Sequence, residues 1–140
     1  MKMPQNPLKI AGLVQEMLYK LPAGPPCIRG INKALARVAF YAPAMGAEKG
    51  HDIAQVRDGW LAFLSRAGIT PVITSQDNDS FHWEVGSCPY GYHGVDQLGV
   101  CDAVMDLDRA FTRLLGGEMT ILSRIPEGSP KCRFVTRFLG

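Results

Sequence analysis

Long apolar runs are absent from this 140-residue chain, and no stretch approaches the roughly 18 to 20 residues that a membrane-spanning helix needs. Near the N-terminus, Gln15, Glu16 and Lys20 interrupt the apolar residues, so the unbroken apolar core of a signal peptide is missing as well. These absences predict a cytoplasmic protein that has no membrane partner.

A strong charge of either sign is also missing. Fifteen basic and thirteen acidic residues give a formal net charge of +2, which is too balanced to indicate a nucleic-acid partner. The apolar share of 46% and the length instead favour one globular domain over residues 1–140. The one local basic cluster is typical of the solvated face of a sheet, and it consists of Arg124, Lys131, Arg133 and Arg137.

Linkers, internal repeats and a regular alternation of strands and helices are lacking too. Apolar residues recur at helical spacing over residues 8–19, about 28–41 and 52–68, which predicts three helices. The stretch LPAGPP, between the first two, must separate them because proline disrupts helices. A fourth helix is predicted over about residues 96–115, closed by two glycines.

In four short segments apolar residues recur at every second position, which is the spacing of a β-strand. TPVITSQ and SFHWEVG flank the turn residues DND, and EMTILSRI and KCRFVTRF flank PEGSP, so each pair predicts a β-hairpin. In SFHWEVG, Phe81, Trp83 and Val85 are predicted to point to one face of the sheet. His82 and Glu84 then point to the other. The predicted apolar face of the second helix consists of Ile31, Leu35, Val38 and Ala39.

The resulting order is three N-terminal helices, then two β-hairpins separated by a helix. Strands that come in hairpin pairs indicate a mainly antiparallel sheet. The sequence therefore predicts an α+β fold whose helices lie on one side of that sheet.

The cysteines lack the paired C-x2-4-C spacing of zinc fingers and the runs that bind ferredoxin clusters. In a reducing compartment four cysteines are more often thiols or metal ligands than a disulfide framework. Cys88 lies in SCPYGYHG, whose glycines and proline predict an exposed loop where a ligand or nucleophile is approachable. Cys101 and Cys132 follow on the fourth helix and in the last strand. For each cysteine the alternative is a buried thiol that acts as a small hydrophobe.

Three cysteine thiolates would select a soft transition metal, as Zn²⁺ or as a [4Fe-4S] cluster, and would leave one position open for water or substrate. His82 and His93 are the candidates to complete the metal shell or to move a proton. Asp106, one helical turn after Asp102, is the acidic candidate. For these side chains a solvated surface position is the alternative. Cys27, near the start of the second helix, stands apart, and its role stays open.

The segments CPYGYHG, VCDAVMDLDRAFTRLL and RIPEGSPKCRFVTRF resemble the family named for L-2-amino-thiazoline-4-carboxylic acid hydrolase over about residues 80–138. This resemblance implies ring-opening hydrolysis of a thiazoline. The chain is more distantly similar to vinyl-reductase-type small-molecule-binding domains, which implies ligand sensing. Their zinc set does not transfer, because ILSR stands in place of their Glu-x-x-Cys. The hydrolase family pattern falls on Cys88, Cys101, Asp106 and Cys132, with Gly128 at the turn before the last strand.

Two functions follow as alternatives. One is a small metal-centred hydrolase acting on a sulfur- or nitrogen-containing, thiazoline-like substrate. The other is a non-enzymatic small-molecule-binding or sensor domain with a structural or redox cysteine site. The apolar face of the first helix predicts a homodimer in either case. The candidates to line a binding pocket, or else to form plain core, are Trp60, Phe63, Phe81 and Trp83.

Overall fold

A computed structural model of the protein describes residues 6–140. Two 3₁₀ turns, Val95–Gln97 and Ile125–Glu127, precede the fourth helix and the last strand. The order of the elements confirms the predicted α+β fold. The helices and strands are α1 (Pro7–Tyr19), α2 (Gly24–Tyr41), α3 (Ile53–Arg66), β1 (Val72–Gln76), β2 (Ser80–Val85), α4 (Leu98–Val104), α5 (Asp106–Leu114), β3 (Gly117–Ser123) and β4 (Cys132–Phe138).

The strands of the described chain form one antiparallel sheet in the order β1-β2-β4-β3. Both predicted hairpins are present, and they join where β2 pairs with β4, which sets Trp83 opposite Phe134. Burial alternates along β2 as predicted, with Phe81, Trp83 and Val85 inside. The helices pack on this buried side of the sheet.

Local signals explain where the helices begin. The Asn6 side chain caps α1 by accepting from the Leu8 N–H at 2.9 Å, and Asp52 caps α3 through the Gln55 N–H at 2.8 Å. The proline-rich stretch separates α1 from α2, as predicted. However, α2 already begins at Gly24. Prolines are tolerated in the first turn of a helix, because the N–H that proline lacks would have no acceptor within the helix there.

The buried face of α2 is not the apolar face that the sequence predicted. Ile31, Leu35 and Val38 are exposed. The residues of the buried face and those of the exposed face both recur at helical spacing, so periodicity alone does not decide which face packs on the core. The side chains of α2 that are buried are Ile28, Asn32, Ala36 and Phe40.

Several apolar side chains of α1 and α2 are exposed, and we call them together the helical apolar face. Val38 is the most exposed of them, at 70%. None of the helices within residues 6–140 combines the length and apolarity that crossing a bilayer requires. The helical apolar face consists of Val14, Met17, Leu18, Ile31, Leu35 and Val38.

The predicted fourth helix is divided at Met105 into α4 and α5. Helical hydrogen bonding continues across the division, because the Met105 N–H bonds to the Cys101 carbonyl at 3.1 Å and the Arg109 N–H to the Met105 carbonyl at 2.9 Å. Gly116, with φ of 97°, then turns the chain into β3, a conformation that favours glycine. Of the two parts, α5 packs against β3, the strand that follows it.

Candidate functional site

A cavity of about 120 Å³ lies between the helices and the sheet. All helices except α2 contribute to its walls, together with β2, β4 and the loop of residues 86–91 that follows β2. We call it the central cavity. Its lining consists of Leu8, Phe63, Leu64, Ala67, Ile69, Trp83, Val85, Cys88, Pro89, Tyr90, Cys101, Val104, Met105, Leu107, Asp108, Cys132 and Phe134.

Aromatic rings give the central cavity flat, fixed walls. Trp83 and Phe134 stack across neighbouring strands, with ring centroids 4.0 Å apart and planes 18° from parallel. Phe63 is held in the same manner by Phe111, at 4.1 Å and 23°. Stacked pairs of this kind hold each ring in one orientation, so the cavity presents ring faces and edges to whatever occupies it.

The structure brings Cys88, Cys101 and Cys132 to the central cavity, whereas Cys27 is exposed on α2. Burial raises the pKa of Cys101 to about 12 and also raises the pKa of Cys132. The Cys132 Sγ accepts a hydrogen bond from the Ile125 N–H at 3.3 Å. At neutral pH the thiols of Cys101 and Cys132 are therefore protonated and line the cavity as small, weakly polar groups.

The thiols surround the cavity without meeting at one point. Across residues 6–140, no three side chains of His, Cys, Asp or Glu are grouped so that they could hold a metal ion. In this arrangement the donor set does not fit a metal. The zinc or iron-sulfur centre expected from the sequence stays a prediction.

The structure does not bring the two candidate histidines to the cysteines. His82 lies in β2 between the buried Phe81 and Trp83, so its side chain points to the sheet face opposite the cavity. His93 is exposed in the loop before α4, with its Nδ1 3.1 Å from the Gly91 carbonyl oxygen. Neither histidine lines the central cavity.

Asp106, the acidic candidate, belongs to an ion-pair network that joins α2 to α5. It accepts hydrogen bonds from Arg29 at 3.1 Å and Arg109 at 2.9 Å. Asp102 pairs with the same two arginines, and also with Arg124 at 2.7 Å. Burial acts to raise the pKa of Asp102, but the hydrogen bonds from the three arginines outweigh it and lower that pKa. The network holds helices together and does not line the central cavity.

Asp108 is the acidic side chain that does line the cavity. It is partly buried, and no hydrogen-bond or ion-pair partner for it is found within residues 6–140. Burial raises the pKa of Asp108 to about 7, although the positive charge of Arg109 acts to lower it. Burial and the nearby Asp108 charge also raise the pKa of Tyr90, which shares the cavity. Sequence reasoning preferred Asp106; the signal for Asp108 was its seven-residue spacing from Cys101, which places both on one helix face.

Helix α1 is fixed to the loop that closes the cavity. The buried Tyr92 hydroxyl donates a hydrogen bond to the Gly12 carbonyl oxygen at 2.7 Å. Gly12 itself has no room for a side chain, because a Cβ there would lie 2.5 Å from the Tyr90 carbonyl oxygen. The close packing of α1 on residues 90–92 therefore requires glycine at position 12.

A more polar surface groove of about 540 Å³ adjoins the central cavity. The groove and the cavity share part of their lining. The shared residues, which form the rim between them, are Leu8, Ala67, Ile69, Val85, Cys88 and Pro89.

Comparison with known proteins identifies the fold but no family. No protein-family model matches the chain, and no curated protein matches it. The chain is similar to the crystal structure of the phenol-responsive sensory domain of the transcription activator PoxR with phenol, with a TM-score of 0.50 and 14% sequence identity. The match covers 99% of this chain and 77% of that one. The hydrolase family therefore stays a resemblance of sequence alone, and the structural likeness is to a small-molecule sensory domain.

Proposed function

We propose that this chain is a small-molecule-binding domain whose central cavity holds one aromatic ring. The observation that carries the proposal is the size and lining of the cavity. An apolar cavity of roughly 150 Å³ is known to hold benzene, so about 120 Å³ suits a single ring and is too small for a fused pair. The phenol bound by the structurally similar sensory domain belongs to the same size class.

The walls support an aromatic occupant in particular. Trp83, Phe134 and Phe63 present fixed rings, against which a planar ligand can stack or meet edge to face. The neutral thiols of Cys101 and Cys132 cost little to desolvate. A ligand in this position exchanges water for mostly apolar contacts, which are the main source of affinity in such sites.

The test is calorimetric titration of the chain with phenol and with toluene, together with two matched tryptophan substitutions on α5. Leu107 lines the central cavity, whereas Leu114 lies seven residues further along the same helix and outside it. Both leucines are partly buried. Leu107→Trp fills the cavity and should weaken binding at least about tenfold, a loss of about 1.4 kcal/mol; Leu114→Trp should bind as the parent does. Absence of binding to the parent chain, or an equal loss in both variants, would contradict the proposal.

A second candidate function is the metal-centred hydrolase, and one observation favours it: Cys88, Cys101 and Cys132 line a single cavity. A zinc ion or iron-sulfur cluster there would require the thiols to rotate toward one another, and would supply an open position that polarises water or a substrate atom. Anaerobic purification followed by elemental analysis and an absorption spectrum tests it. Stoichiometric zinc or iron should be lost in Cys88→Ser and kept in Cys27→Ser. A metal-free protein would count against this candidate.

We also infer that two copies of the chain associate through the helical apolar face, which would form the homodimer expected from the sequence. Six large apolar side chains are exposed there on two helices that pack on each other, and exposed apolar patches mark interaction sites. Light scattering in solution measures the oligomeric state directly. The cytoplasmic location stays a prediction.

A further inference from the structure

One carboxyl group on the wall of the central cavity, that of Asp108, has no hydrogen-bond or ion-pair partner within residues 6–140. Asp102 and Asp106, on the same α4–α5 segment, have arginine partners at 2.6 to 3.1 Å. Arg109, next to Asp108 in the chain, directs its guanidinium to those two aspartates. Asp108 is left on the wall of a mostly apolar cavity, and a partly buried carboxyl without a partner costs folding free energy.

We propose that Asp108 recognises a hydrogen-bond donor, a hydroxyl or amino group, on the aromatic ligand of the central cavity. This inference rests on the proposed function, because it names the polar end of the molecule that the cavity would hold. A carboxyl oxygen accepts from such a donor whether the carboxyl is charged or protonated. The donor then removes the cost of the unpaired group, and this gives the site its selectivity.

The other polar groups of the cavity favour a donor over an acceptor on the ligand. The indole N–H of Trp83 already donates to the Thr136 Oγ1 at 3.1 Å, so it is not free to bind a ligand carbonyl or nitro oxygen. The Tyr90 hydroxyl lies near enough to Asp108 to feel its charge. Above about pH 7, where Asp108 is charged and holds no proton, an acceptor on the ligand would face its oxygens and be repelled by them.

Phenol and toluene are the probes, because they share a ring and differ by a hydroxyl in place of a methyl group. We would titrate each into the parent chain, Asp108→Leu, Asp108→Asn and the control Asp96→Leu, whose aspartate is exposed and outside the cavity. The parent and control should prefer phenol by about tenfold or more. Asp108→Leu should lose that preference while toluene binding is kept. Asp108→Asn, which retains an acceptor oxygen, should prefer phenol less than the parent does and more than Asp108→Leu does. It replaces the leucine variant in this test if that variant fails to fold.

The outcomes separate the two proposals. If neither probe binds the parent chain, the proposed function fails and this inference with it. If toluene binds the parent as tightly as phenol, or if the preference for phenol persists in both Asp108 variants, the role of Asp108 is overturned while the cavity's function stands.

Discussion

Asp106 and Asp108 are two residues apart on α5 and have opposite surroundings. Asp106 accepts hydrogen bonds from two arginines, and Asp108 faces an apolar cavity. The difference is invisible in the local sequence, because it depends on Arg29, which lies 77 residues from Asp106 in the chain. Sequence reasoning could identify a carboxylate-bearing helix but not which carboxylate the fold would satisfy.

The raised pKa of Asp108 predicts a pH-dependent effect on stability. The ordinary value is 3.8 and the folded value about 7, so the folded chain holds the extra proton between these values. The stability that protonation gives is fully present below pH 3.8 and is lost as the pH rises through 7. Asp108→Asn, which stays neutral, should therefore raise the melting temperature by roughly 3 to 8 °C at pH 8 and change it little at pH 4.5.

Thermal unfolding followed by circular dichroism at the two pH values checks this prediction. Asp96→Asn, at an exposed position outside the cavity, is the matched control and should leave the melting temperature unchanged at both. Arg109 is the charged group that acts on the Asp108 carboxyl, and it opposes the rise in pKa. The Asp108 charge in turn raises the pKa of Tyr90. An equal shift of Asp108→Asn at both pH values would show that Asp108 is not protonated in the folded chain.

The cysteines show what sequence resemblance can and cannot supply. The family pattern placed Cys88, Cys101 and Cys132 together, and the structure brings all three to one cavity. Their state depends on packing, since burial keeps Cys101 and Cys132 protonated. No spacing rule predicts that burial, so the location of the candidate site was accessible from the sequence and its chemistry was not.

At the scale of elements, α1 is held against the loop that closes the cavity, and this contact predicts a large difference between two glycine substitutions. Gly12→Ala would force a Cβ against the Tyr90 carbonyl oxygen and displace α1. We expect it to lower the free energy of unfolding by about 1 to 3 kcal/mol. Gly30→Ala, on the open side of α2 with no atom within 4 Å of the new Cβ, should instead stabilise the chain by about 0.5 to 1 kcal/mol.

Urea unfolding of both variants measures these changes in free energy. Because Tyr92 donates to the Gly12 carbonyl, the Gly12 variant should also bind phenol more weakly, whereas the Gly30 variant should not. Equal stabilisation by both alanines would mean that α1 moves freely over residues 90–92.

The elements were otherwise largely predictable. Strand alternation, the hairpins and the helix breaks follow from local patterns, and the structure confirms them. The division at Met105 and the orientation of α2 do not follow locally. Ile28 and Ile31 are both apolar and one helical turn apart, and only the packing of α2 on α5 selects the first for burial.

At the scale of the whole molecule, the helical apolar face predicts self-association that a single charge should disrupt. Val38→Glu places a carboxylate at the most exposed position of that face, so we expect the dimer to dissociate about a hundredfold more readily. Val95→Glu is the matched control, because Val95 is 71% exposed and Val38 70%, and Val95 lies in the loop before α4. Sedimentation equilibrium of the parent and both variants measures the association. A parent chain that stays monomeric at high concentration would refute the homodimer.

One helix carries side chains that serve both proposed surfaces. On α1, Leu8 lines the central cavity, Gly12 contacts the loop over it, and Val14 lies on the helical apolar face. Leu8 and Val14 are six residues apart, about 9 Å along a helix. If a bound ring and the pairing of two copies both favour the same position of α1, each strengthens the other by the same factor. Occupancy of the cavity and pairing of the chains are then thermodynamically reciprocal, which is the property that allows a binding domain to report its ligand.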